Sequence, residues 1–333
     1  MPDVNLTTTY LGLTLKNPLV VGASPFCDNL TLCRELEEAG VSALVMHSFF
    51  EEQIDAEARA LVHNTEAFND SVAEATSYFP RYEDYHLGPQ QYLRRLTRLK
   101  KLLSIPVIAS LNGRHLGSWI GMAQQMEDAG AAAIELNLYQ VPTDPTRPAD
   151  EVEGTMLQMV RAVTAAVKIP VAVKLSPYHT SLPNLVAQIV ENGAKGVTLF
   201  NRFYQPDFDV NELDVVPHLR LSDPSELLVR LRWLAILSPN VDTSLACSGG
   251  VHTAEDVIKA LLAGADVVQL VSALLRHGPP IVPVLLDGLV AWMREKEYGN
   301  LSQLRGALNL RRCPDPAAHE RANYIRILQS WRV

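Results

Sequence analysis

Leu262-Ala263-Gly264-Ala265, followed by the largely apolar run Val267–Ser272, is the stretch whose reading decides the fold. A glycine just past a helix end suits the left-handed cap position, and the apolar run behind it reads as a parallel strand buried on both faces. The same step recurs at Glu38-Ala39-Gly40-Val41, Asp128-Ala129-Gly130-Ala131 and Glu191-Asn192-Gly193-Ala194. Each copy announces the second of two apolar runs. The pairs are Leu19–Gly22 with Leu44–Met46, Val107–Ser110 with Ala133–Asn137, Val171–Lys174 with Val197–Asn201, and Ser244–Ser248 with Val267–Ser272. Strand centres within a pair lie roughly 23 to 26 residues apart, room for one strand, one helix and two short loops. Four pairs predict eight parallel strands alternating with helices, hence a closed TIM-type (β/α)8 barrel with its active site at the C-terminal strand ends. An open doubly wound sheet would carry a dinucleotide fingerprint, and none is present.

The chain has 333 residues, is 47% hydrophobic and carries a net charge of −8. Barrels of this size commonly form one domain, so residues 1–333 read as a single domain with two insertions on the catalytic face, at about 49–88 and about 202–224. The first runs from Glu51-Glu52-Gln53-Ile54-Asp55 to Tyr78-Phe79-Pro80-Arg81-Tyr82, the second through Phe203-Tyr204-Gln205-Pro206-Asp207-Phe208-Asp209. Long excursions from strand ends form lids or substrate walls. The acidic balance argues against a nucleic acid partner, which needs clustered Lys and Arg. Met1-Pro2-Asp3 opens no signal peptide, and no apolar stretch approaches the 18 or so residues that span a bilayer, so a cytoplasmic protein without membrane association is expected. Cys27, Cys33, Cys247 and Cys313 show no metal-ligand spacing and read as reduced thiols, with no metal site expected.

Polar residues punctuate the predicted strand ends. Lys174 closes Val171-Ala172-Val173, where an ammonium is buried beneath the rim and needs either a neighbouring carboxylate or an anionic ligand. Asn137 closes Ala133-Ile134-Glu135-Leu136, and Asn201 closes Val197-Thr198-Leu199-Phe200. Aimed at one mouth, the three suit a planar ligand with carbonyl and ring-nitrogen edges. After the seventh and eighth strands, Ser248-Gly249-Gly250-Val251 and Ser272-Ala273 allow close backbone approach where barrels often bind phosphate.

The order and spacing of Asn17–Pro25, Val45–Ser48, Glu135–Leu138, Val173–Pro177, Cys247–Val251 and Gly264–Leu270 resemble the dihydroorotate dehydrogenase family of FMN barrels over nearly the whole chain, nearest its soluble class 1 type. The resemblance implies an oxidoreductase of pyrimidine biosynthesis with FMN as cofactor, acting on the CH–CH group of a small dihydroorotate-like, cyclic or carboxylated substrate. It places Ala23 and Ser24 against the flavin ring, Ser48 and Asn137 at its polar edge and Lys174 beside its pyrimidine side. Asn201 joins this cofactor-binding set, and Gly249, Gly250, Ser272 and Ala273 hold the phosphate.

The departures bear on substrate chemistry. His47 stands where the family commonly has lysine. The family's Asn-Leu-Ser-Cys-Pro-Asn, which carries the catalytic base, is here Asn137-Leu138-Tyr139-Gln140-Val141-Pro142, and an amide takes no proton at neutral pH. The family's substrate stretch after the second strand is replaced by Ala75–Arg81. His47, Tyr139 and the base position Gln140 are the catalytic candidates, with Cys27 and His179 as further groups able to take a proton; Cys33 reads as structural. Two other readings stay open: a phosphate-binding barrel doing isomerase, lyase or synthase chemistry without flavin, and a flavin-bearing subunit with a decayed substrate site. Expected partners are a small-molecule substrate and a soluble redox partner, and a homo-oligomer is the default for such an enzyme.

Overall fold

Each of the eight apolar runs forms a strand. The computed structural model describes residues 4–50, 88–112, 116–202, 205–216, 220–320 and 323–330. An antiparallel hairpin of β1 (Thr8–Tyr10) and β2 (Leu13–Leu15) leads into β3 (Leu19–Ser24), β4 (Ala43–Phe50), β5 (Val107–Asn112), β6 (Ala133–Asn137), β7 (Val171–Leu175) and β8 (Gly196–Leu199). A second short hairpin, β9 (Asp207–Asp209) with β10 (Asp214–Val216), precedes β11 (Ser244–Ser248) and β12 (Val267–Leu270). Strands β3 to β8, β11 and β12 pair in parallel around a closed ring, β12 against β3 and β8 against β11. The fold is a TIM-type (β/α)8 barrel.

The recurrent glycine has the predicted cause. Gly40 and Gly264 end helices Leu30–Ala39 and Ala254–Ala263 with φ of +116° and +121°, and Gly130 and Gly193 share the positive φ. A side chain strains in that conformation, so glycine lets the helix turn sharply into the next buried strand. The boundaries shift slightly at two expected site residues. Asn201 lies two residues beyond β8, and Ser272 opens helix Ser272–His277 instead of closing β12.

Two cores result. The outer one packs helices against the outward side chains of the barrel; the inner one contains Val20, Ala43, Ile108, Ala133, Ala172, Ala246 and Val267, most of them near the N-terminal ends of their strands. Tyr10, Leu11 and Leu15 of the β1–β2 hairpin pack into that inner cluster and floor the barrel with apolar side chains. Register shifts between Val21 and Ser24 and between Val45 and Ser48 interrupt the pairing of β3, β4 and β5 just below the mouth. Such irregularities re-aim the side chains beyond them.

Of the expected insertions, residues 51–87 lie outside the described residues, and with them Ala75–Arg81; Phe203 and Tyr204 also lie outside. The second insertion carries the β9–β10 hairpin. Among the described residues, no helix is long and apolar enough to cross a membrane.

Candidate active site

Side chains two apart on a strand face the same way, which puts Glu135 and Asn137 of β6 together on the barrel's inner side. Register sets Asn137 beside Lys174, and Lys174 beside Thr198. At the lower level Glu135 is the hub. Lys174 Nζ lies 3.3 Å from its Oε1, while Thr198 Oγ1 and Gln269 Nε2 donate to its Oε2 at 2.9 and 2.7 Å. Both charged groups are buried. The anion that Lys174 requires is therefore supplied by the chain itself, the carboxylate partner of the sequence reading. Tyr10 approaches Thr198 Oγ1 from below at 3.4 Å, and burial, reinforced by the charge of Glu135, raises the phenol's pKa and keeps it protonated. Gln269 Oε1 is buried without a hydrogen-bond partner.

One layer higher, hydroxyls and amides form a chain across the mouth. Ser110 and Ser48 join Oγ to Oγ at 2.8 Å, Asn137 Nδ2 donates to Ser48 at 3.3 Å, and Asn201 Nδ2 donates to Asn137 Oδ1 at 2.8 Å. The structure thus brings Ser48, Asn137 and Asn201 together. Ala23 is half-buried at the end of β3, and the Ser24 hydroxyl donates to the Gly22 carbonyl at 2.8 Å.

Just past β11, the ring neighbour of β8, Gly249 and Gly250 carry φ of +96° and +80°. Gly250 N–H donates to Ser222 Oγ at 3.2 Å, and that hydroxyl lies 2.9 Å from Ser272 Oγ. Behind the pair, the buried Arg230 guanidinium donates through Nε to the Ser248 carbonyl at 2.7 Å. Ala273 is fully buried, leaving its backbone as its contribution.

The expected catalytic residues separate. Following the irregular register of β4, His47 Nδ1 lies 3.0 Å from Cys27 Sγ and 3.6 Å from Asp28 Oδ1, with its ring edge-on to Tyr92 at 5.4 Å. Asp28 is also held by Arg95 at 2.8 Å. Burial lowers the His47 pKa against the pull of Asp28, and burial pushes the Cys27 thiol up to about 12, so neither is charged at neutral pH. Tyr92, against which His47 packs, reaches the hydroxyl–amide chain through Ser110, donating to its carbonyl at 3.2 Å and accepting from its N–H at 3.0 Å. Tyr139 is half-buried beyond β6; Gln140 lines a cavity of about 600 Å³ with Ser176 and His179, from the loop after β7, and Glu153 of helix Ala149–Ala166. A larger cavity, about 960 Å³, sits at the N-terminal rim beside Thr8, Lys168, Lys195 and Arg305, away from the strand ends that carry chemistry.

A family profile described as dihydroorotate dehydrogenase matches residues 5–293. The chain belongs to the dihydroorotate dehydrogenase family. It is 28% identical over 265 residues to the putative dihydroorotate dehydrogenase A (fumarate) of Aeropyrum pernix, covering 71% of this chain and 84% of that one. It is 25% identical to the catalytic subunit of dihydroorotate dehydrogenase B (NAD(+)) of Thermoplasma volcanium, over 91% and 98% of the two chains. With subunit PreA of the NAD-dependent dihydropyrimidine dehydrogenase of Escherichia coli the identity is 23%, over 92% and 77%. The chain is accordingly a dihydroorotate dehydrogenase-like oxidoreductase.

Sequence reasoning missed several residues of this family site. Glu135 had a signal, an acid inside an apolar strand two residues before Asn137. Ser110, Ser222 and Arg230 had none, being ordinary residues of strand, loop and helix until the barrel closes.

Burial also lowers the His179 pKa against Glu153. Both His47 and His179 thus take up protons less readily folded than unfolded, where the ordinary value is about 6.5. Below that pH the unfolded chain binds more protons, and stability falls. Urea melts should give full stability above about pH 6.5 and a progressive loss as the pH drops through the two depressed values; a flat profile to pH 5 or so would contradict the burial of these rings.

Proposed function

We propose that this protein is an FMN-dependent dehydrogenase that oxidises the CH–CH group of a small cyclic or carboxylated substrate. The observation that carries the reading is the donor set of the mouth: amides and an ammonium on β6, β7 and beyond β8, followed around the rim by hydroxyls and a left-handed glycine pair backed by a buried guanidinium. That donor set fits FMN. Ser48, Asn137 and Asn201 would meet the carbonyl and nitrogen edges of the ring. Gly249, Gly250 and Ser272, joined by Ser222, would hold the phosphate, and the tight seat of Gly250 against Leu227 keeps the glycine N–H groups in place.

FMN bound there supplies a two-electron acceptor. The chain's own contribution is positioning and charge. Lys174 is anchored by Glu135, so its ammonium stays beneath the mouth, where it would hold the ring and favour its uptake of electrons. The apolar floor beneath the hub limits water access from below and strengthens that electrostatic effect.

The relatives' names support a role in pyrimidine biosynthesis and, through the words catalytic subunit and subunit, a soluble redox partner. We read the chain as one domain working in the cytoplasm. Purified protein is expected to be yellow and to release FMN on denaturation, in an amount equal to the chain. Colourless protein that also binds no added FMN by calorimetry would overturn the proposal.

A further inference from the structure

Segments after β6, β7 and β8, together with helix Ala149–Ala166, enclose the cavity of about 600 Å³ between Leu138, Gln140, Ser176, Tyr178, His179 and Gln205, a size typical of small-ligand sites. Gln140 Oε1 is buried there without a hydrogen-bond partner. Leaving a buried carboxamide oxygen unpaired is costly, and a ligand N–H removes that cost. Because a carboxamide presents C=O and NH2 side by side, its complement is another amide edge.

The same cavity holds a serine, a histidine and a glutamate in series. Ser176 Oγ lies 3.5 Å from His179 Nε2, and Glu153 Oε1 lies 3.9 Å from Nδ1 on the other side of the ring. Tyr178 N–H donates to Ser176 Oγ at 3.3 Å, which leaves the hydroxyl proton to point at the imidazole. The titratable or charged groups lining this cavity are Asp144, Arg147, Glu153, Tyr178 and His179. Of these, Glu153 faces the imidazole, while Arg147 is paired with Glu151 at 2.8 Å. Burial keeps the ring neutral at physiological pH, with Nε2 able to accept.

We propose that Ser176 and His179 together form the proton acceptor of the oxidation, with Gln140 gripping an amide edge of the substrate. The proposal rests on the flavin reading, since the electron pair of the neighbouring C–H bond leaves as hydride to the flavin. In the proton half, the substrate C–H bond next to a carbonyl breaks and a new O–H bond forms at Ser176 Oγ. The hydroxyl's original proton passes to His179 Nε2, giving an imidazolium that Glu153 faces. Ser176 is the catalytic residue that meets substrate; His179 acts through it. The relay therefore occupies the role that Gln140 cannot fill.

The test uses flavin-loaded protein and two cyclic amides, dihydroorotate and 5,6-dihydrouracil. Anaerobic reduction of the flavin is expected to slow by about 10²- to 10⁴-fold in Ser176→Ala and His179→Ala with flavin content unchanged. The wild-type rate should rise with pH as one group deprotonates, and that limb should vanish in His179→Ala. His179→Gln serves if the alanine variant does not fold. Gln140→Leu should weaken calorimetric binding of uracil by about 10-fold, the value of one hydrogen bond to a buried partner. Variants of Ser176 and His179 that keep wild-type rates and pH profiles overturn the assignment, as does wild-type protein that neither compound reduces. If flavin remains bound in those cases, the proposed function stands without the relay. Protein that takes up no flavin defeats both.

Discussion

Lys174→Ala is expected to strip the protein of FMN and to cost about 3–5 kcal/mol of stability, the penalty for leaving one member of a buried ion pair alone. The two losses have separate causes. Stability falls because Glu135, buried at the barrel's centre with Thr198 and Gln269 as its remaining donors, keeps a charge that no cation answers. Flavin falls because the ammonium that the described residues place in this inner hydrogen-bonded layer is gone. A second variant separates them. Lys174→Met combined with Glu135→Gln removes both charges, and such replacements are often near neutral for stability. The double variant should therefore recover most of the urea midpoint while flavin content stays low. If Lys174→Ala retains wild-type stability and flavin, the hub described here has no energetic role; if the double variant regains flavin as well, Lys174 acts on the fold alone.

Gly250→Ala is the second large effect. At φ of +80° a Cβ would stand 2.5 Å from Leu227 N and 2.9 Å from its Cα, backbone atoms at the start of helix Leu227–Leu237, where Leu227 itself is buried. The left-handed conformation costs a non-glycine residue about 1–2 kcal/mol, and displacing packed structure adds about 1–3 kcal/mol. The combined loss of about 2–5 kcal/mol should appear in denaturation, together with weaker FMN binding, because Gly250 N–H and Ser272 share the Ser222 hydroxyl. Gly154→Ala is the control. It lies inside helix Ala149–Ala166 with nothing within 4 Å of the new methyl group, so a gain of about 0.4–1 kcal/mol is expected. Equal behaviour of the two substitutions would contradict the close seat of the glycine pair.

The barrel was legible in the sequence because parallel strands buried on both faces must be apolar throughout and the glycine cap repeats with them. Much of the mouth was legible for a related reason. Polar groups at the ends of such runs, Asn137, Lys174 and Asn201, are costly unless they line a site. The β1–β2 hairpin was not legible, since three-residue strands carry almost no periodicity, and neither was the hairpin of β9 and β10 inside the second insertion.

The sequence by itself determined the number and order of the barrel strands and the family, both consequences of local patterning along the chain. Only the tertiary structure decided what each polar side chain touches. Glu135 meets Gln269 across 134 residues, His47 turns to Cys27 after a shift of register, and Gln140 gathers with Ser176 and His179 from two separate loops. Contacts of that kind depend on ring closure and strand register, which belong to the whole barrel and to no segment of it.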